Sequence, residues 1–115
     1  MPYLVPKIGT CYLWAMRVIA RSTLMGFGDQ HSDARPALLH WIEIVKASTW
    51  SSTADIQSAF PKAKVLNGER VRFEIAGGKY RLIAAFKFRS ELCFVKFMGT
   101  HAEYDRIDAL IVSQH

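Results

Sequence analysis

A chain of 115 residues, half of them apolar, is long enough for one hydrophobic core and short for two, so a single domain is expected. Its formal net charge of +5 suits an anionic partner without saying which. No run of ~18 apolar residues occurs, which excludes a membrane-spanning helix, and Cys11 and Cys93 are too few and too far apart for a disulfide framework or a zinc site.

In chain order, residues 1–15 are apolar but carry their lysine in the middle, at Lys7, and lack a small-x-small cleavage site. They read as an extension, not a secretory signal. The two thiols, Cys93 among them inside an apolar strand pattern, then suit a reducing cytoplasm. Residues 16–20 are rich in β-branched side chains and read as a short strand, closed by Ser22 and Thr23. A helix over about 22–31 is weakened by Gly26 and Gly28. A firmer one follows from Asp33, where Leu38, Trp41, Ile42 and Val45 recur at three- and four-residue intervals. A third, over 53–60, has Ser52 and Asp55 at capping-box spacing and Pro61 to end it.

From Arg70 the apolar period becomes two. If Gly77 and Gly78 form a two-residue hairpin turn, Val71 lies opposite Ala84, Phe73 opposite Leu82, Glu74 opposite Arg81 and Ile75 opposite Tyr80, which puts the apolar residues on one face. A second turn at Arg89 and Ser90 pairs Phe86 with Cys93, Ala84 with Val95 and Leu82 with Phe97. Nine lysines and arginines against three glutamates fall between residues 62 and 96, an excess larger than that of the whole chain, so the remainder is slightly acidic. The alternation assigns Arg70, Arg72, Glu74, Lys79, Arg81, Lys87 and Lys96 to the face opposite the core. Thr100 and Glu103 then have capping-box spacing, which predicts a final helix with Ile107, Leu110 and Ile111 packing inward.

On that helix His101, Tyr104, Asp105 and Asp108 share a face. A histidine beside a basic sheet suits RNA cleavage, because an imidazole titrating ordinarily near ~6.5 can take the ribose 2′-hydroxyl proton or protonate the leaving 5′-oxygen. Arginine and lysine would stabilise the five-coordinate phosphate. Simpler roles stay open: His101 as a residue of the helix start, Arg81 as a cross-strand partner of Glu74, Lys87 and Arg89 as solubility charges, His31 and His40 as surface or half-buried residues. Trp14, Trp41 and Trp50 read as packing residues. No HExxH, Walker-type loop or GxGxxG occurs, so no metal or cofactor is expected.

The stretch 16–24, then Arg70-Val71-Arg72-Phe73, Gly78-Lys79-Tyr80-Arg81-Leu82-Ile83, and Gly99-Thr100-His101-Ala102-Glu103-Tyr104-Asp105-Arg106-Ile107-Asp108-Ala109, resemble in order the blocks of HigB-type toxins, a RelE-like family. The resemblance implies an α+β domain with an N-terminal strand and helices packed on a mainly antiparallel sheet, followed by a C-terminal helix. The domain would start at Met16 and fill residues 16–115. It implies an endoribonuclease toxin of a type II toxin–antitoxin system, cytoplasmic, acting on mRNA at the ribosome and neutralised by a HigA-type helix-turn-helix antitoxin. Carried over residue by residue, it makes His101, Arg81, Tyr104 and Lys79 the catalytic candidates, with Arg70, Arg72, Lys96 and Lys87 binding RNA. Two positions depart from the family pattern: Glu74 stands where asparagine is common, and Gly78 replaces a turn asparagine. The competing expectations are a catalytically inactive RNA-binding or protein-interaction module of the same fold, and DNA binding, which lacks a recognition-helix motif here.

Overall fold

A computed structural model describes residues 16–114; the extension with Cys11 and Trp14, and the terminal His115, lie outside the described residues. The elements are β1 (Arg17–Ile19), α1 (Arg21–Gln30), α2 (Arg35–Lys46), α3 (Thr53–Ala59), β2 (Lys64–Val65), β3 (Arg70–Ile75), β4 (Tyr80–Lys87), β5 (Leu92–Thr100) and α4 (His101–Tyr104). The strands form one sheet in the order β1-β5-β4-β3-β2, parallel where β1 meets β5 and antiparallel elsewhere. This is the α+β architecture that the sequence implied.

Helices α1, α2 and α3 cover one sheet face. In α2 the stripe Leu38, Trp41, Ile42 and Val45 is buried as its spacing requires, and Trp41 meets Phe73 edge-on at 5.2 Å. Gly28 has a packing reason to stand within α1: a Cβ there would lie 3.3 Å from the Arg35 Cβ at the start of α2. Trp50 packs edge-on against Phe60 and Phe86, and the Cys93 thiol is buried, which raises its pKa by desolvation. At α3 the expected capping box does not form. The Ser52 side chain makes no cap bond, and Asp55 instead accepts from the backbone N–H and the hydroxyl of Ser51, at 2.9 and 3.1 Å. The two-residue edge strand β2 is too short to leave a periodic signal.

The β3–β4 register is the one that the alternation predicts, with a turn whose Ala76, Gly77 and Gly78 all have positive φ. Between β4 and β5 the pairs Phe86–Cys93 and Ala84–Val95 also hold, across a 3-10 turn at Phe88–Ser90 that ends on a left-handed Glu91. Beyond them a bulge shifts the register by one residue. Leu82 therefore pairs with Met98, and Phe97 lies opposite Ile83. A one-residue slip moves side chains to the other face, so Met98 joins the main core while Phe97 leaves it.

The outer sheet face is consequently not a bare cationic surface. Ile83, Ala85 and Phe97 are buried apart from the main core cluster, and the chain that follows β5 packs onto this face. Tyr104 packs on Phe97, with ring centres 6.2 Å apart. Arg70 Nη1 donates to the carbonyls of Ala109 and Val112 at 3.0 and 2.8 Å, and Gln114 is tied to β5 through its backbone N–H on Lys96 and its side-chain oxygen on Met98 N–H. The last helix is one turn long. Because helical spacing stops at Tyr104, Leu110 and Ile111 do not pack inward; they are 53% and 74% exposed, and Ile107 is half-buried.

Candidate active site

The hairpin turn and the start of α4 meet at one end of the sheet. Tyr80 pairs with Thr100 and Arg81 with Gly99, so the first helical residue, His101, emerges beside the turn; its N–H donates to the Lys79 carbonyl at 3.3 Å. The capping box predicted there is complete. The Thr100 hydroxyl accepts from Glu103 N–H at 3.1 Å, and the Glu103 carboxylate accepts from Thr100 N–H at 2.8 Å. Gly99 makes this closure possible: a Cβ would stand 2.7 Å from Phe97 Cζ and 2.8 Å from a Glu103 carboxylate oxygen.

On the outer face of the hairpin lie Arg72, Glu74 and Arg81, all half-buried. Glu74 is level with Arg81, yet its carboxylate engages Arg72, Nη2 to Oε2 at 3.3 Å, along its own strand. Arg81 Nη1 donates instead to the Gly78 carbonyl. The Nε of Arg72 and that of Arg81 are buried and have no hydrogen-bond partner among the described residues. A guanidinium is a fixed-charge fork suited to an oxyanion, and each of these two side chains keeps part of its surface open to solvent. The Arg72 guanidinium lies 6.0 Å from the centre of the Tyr104 ring. His101 Nδ1 is 3.4 Å from the Asp105 carboxylate, and both side chains are more than half exposed. A carboxylate on one ring nitrogen orients the imidazole and leaves Nε2 for a substrate.

The structure thus brings Arg81, Arg72, Tyr104 and His101 to one end of the sheet and sends the other candidates elsewhere. The Lys79 ammonium is 2.6 Å from Asp33, in the turn between α1 and α2, and the Tyr80 hydroxyl donates to the same carboxylate at 2.7 Å. The hydrogen bond from Lys79, with a second from Tyr80, holds the Asp33 carboxyl below its usual range; the shared bond to Asp33 raises both the lysine and the tyrosine. Lys87 pairs with Glu69 at 2.9 Å at the far end of β4, Arg70 holds the C-terminal segment, and Lys96 occupies the bulge. Sequence spacing signalled Asp105, four residues after His101. It gave no sign of Asp33, 46 residues before Lys79, or of the Gly78 carbonyl as the acceptor for Arg81.

A family model described as HigB_toxin, the RelE-like toxic component of a toxin-antitoxin system, matches residues 34–107, from the start of α2 to just beyond α4. The chain belongs to the HigB toxin family. A relative, the mRNA interferase HigB of Escherichia coli O6:H1 (strain CFT073), is 26% identical over 95 residues, which cover 80% of this chain and 91% of that protein. The HigB match takes in every residue of the cluster, Arg72, Glu74, Arg81, His101, Tyr104 and Asp105. Membership also fits the RelE-like arrangement of helices on one sheet face and a short helix after the last long strand.

Proposed function

We propose that this protein is an endoribonuclease, the toxin of a type II toxin–antitoxin pair, and that it cleaves mRNA at the Arg72–Arg81–Tyr104–His101 cluster by metal-independent acid–base chemistry. The observation that carries the reading is the placing of two half-buried arginines, Arg72 and Arg81, at the end of the sheet where a histidine with its own carboxylate begins α4. In this scheme the ribose 2′-hydroxyl loses its proton to a base as its oxygen attacks phosphorus. The bond to the 5′-oxygen breaks, and that oxygen takes a proton, leaving a cyclic 2′,3′-phosphate and a free 5′-hydroxyl. His101 Nε2 performs one of the two transfers, Arg81 and Arg72 stabilise the charge that grows on the phosphate, and Tyr104 positions it. Lys79, bound to Asp33, contributes as a peripheral cation.

The relative's printed activity and the family's description support the substrate and the class of partner. We assign the partner to a HigA-type helix-turn-helix antitoxin, the place of action to ribosome-bound mRNA in the cytoplasm, and the toxin domain to residues 16–115. Glu74 favours one other reading: a carboxylate between two arginines weakens phosphate binding, as in a module that contacts RNA or protein without cutting.

Induced expression with mapping of RNA 5′ ends separates the two. Wild type is expected to slow growth and create new mRNA ends bearing 5′-hydroxyls, and His101→Ala and Arg81→Ala each to reduce cleavage by about a hundredfold or more. Absence of new ends with wild type would sink the enzyme reading. Normal cleavage by His101→Ala would remove His101 from the proton transfers.

A further inference from the structure

The cations that the fold separates from the catalytic cluster are not scattered. Arg70, Ala85 and Phe94 lie level on three adjacent strands, because Arg70 pairs with Ala85 and Ala85 with Phe94. The small alanine between two large side chains leaves a hollow of about 350 Å³, lined by Glu69, Arg70, Ala85, Lys87, Phe94 and Lys96. Its volume is in the range of small-ligand sites.

Three cations face one anion there. Glu69 is already bound to Lys87, and Arg70 keeps its charge while one nitrogen holds the C-terminal carbonyls. Lys96 has no carboxylate partner among the described residues; its ammonium sits 5.5 Å from the centre of the half-buried Phe94 ring. The β-bulge delivers this lysine, being the extra residue between Val95 and Phe97. An aromatic face joined to an unpaired flexible cation is what single-stranded nucleic acid uses, base on ring and phosphate on ammonium.

We infer that the Phe94–Lys96 hollow is a second, non-catalytic RNA subsite, holding one nucleotide of the single strand whose cleavage occurs at Arg81 and His101. This rests on the RNA-cleaving reading for its substrate. Ala85 stands four residues along β4 from Arg81, about 13 Å at a strand's rise per residue, so the nucleotide held here is separated from the scissile phosphate and reached only by longer RNA. The hollow sets an appetite for length.

The test is binding, independent of cleavage, with fluorescein-labelled 2′-O-methyl RNA of about ten nucleotides and of about three, against wild type, Phe94→Leu, Lys96→Ala and Lys96→Glu. Wild type is expected to prefer the longer strand. Phe94→Leu and Lys96→Ala should each weaken binding of the longer strand by about tenfold and erase most of the preference for length. Lys96→Ala should also reduce the slope of log affinity against log salt by ~0.7, and Lys96→Glu should weaken binding further. Melting curves identify any variant that fails to fold, and Lys96→Glu leaves the packing of Phe94 in place. Unchanged affinity for the longer strand in all folded variants would overturn the subsite, as would unchanged RNA affinity together with a weakened antitoxin complex, which marks a protein-binding surface. If wild type cleaves nothing in cells but the variants lose RNA affinity as described, the subsite stands and the enzyme reading falls.

Discussion

At the scale of single residues, the site depends on one glycine and one carboxylate that do no chemistry. Gly99 is the position where a methyl group has no room, since both Phe97 and Glu103 would be approached within van der Waals contact. Gly99→Ala is therefore expected to cost about 1–3 kcal/mol in urea denaturation and to open the capping box that sets His101. Asp33 binds Lys79 and Tyr80 together, which fixes the sign of its pH dependence. A lowered carboxyl stabilises the fold above its ordinary value of 3.8 and loses that contribution as pH falls through the lower folded value. A raised lysine and a raised tyrosine stabilise below their ordinary values of 10.5 and 10.0 and lose the contribution as pH rises through the folded ones. Comparing wild type with Asp33→Asn by denaturation across pH, the stability gap should be widest near neutrality and close at both ends. A gap that is flat from acid to alkali would show that the ion pair contributes nothing.

At the scale of elements, α4 is a single turn and too short to hold itself. Its geometry comes from the reciprocal Thr100–Glu103 bonds and from the His101 N–H on Lys79. Thr100→Ala is expected to cost about 1 kcal/mol and to lower RNA cleavage more than it lowers stability, measured on the same preparation, because the imidazole then loses its fixed origin. Local signals of this kind were legible in the sequence. The Thr100–Glu103 capping box, the α2 stripe and the two-residue hairpin register are each dictated by neighbours within a few residues, and all three stand in the structure, whereas the same spacing at Ser52 and Asp55 forms no box because Asp55 binds Ser51 instead. The larger differences depend on contacts at a distance. Nothing in a period of two announces a bulge: unbroken alternation sets Leu82 against Phe97, whereas the extra residue Lys96 brings Leu82 opposite Met98. Likewise, the helical spacing that placed His101 beside Asp105 also suggested buried positions for Leu110 and Ile111, past the point where the helix ends.

At the scale of the molecule, these long-range effects act on one face. The charge count predicted a solvated cationic sheet, but the bulge turns Phe97 outward to join Ile83, and an apolar strip across the middle of that face needs cover. The chain after α4 supplies it, fastened by Arg70 at one side and Gln114 at the other. The cations are divided as a result into a group by the hairpin turn, where we place catalysis, and a second group by Phe94. Removal of residues 109–115 tests this division. It deletes both carbonyls on Arg70 and the Gln114 tie, and uncovers at least part of Ile83 and Phe97; burying such a side chain is worth about 1.5–3 kcal/mol, so the truncated protein should lose ~2 kcal/mol or more in thermal or urea unfolding. His101 is held by bonds that lie wholly before residue 109, so cleavage well below the melting temperature should persist. Loss of cleavage in a truncated protein that is still folded would mean that the segment reaches into the catalytic geometry; unchanged stability would mean that the apolar strip needs no cover.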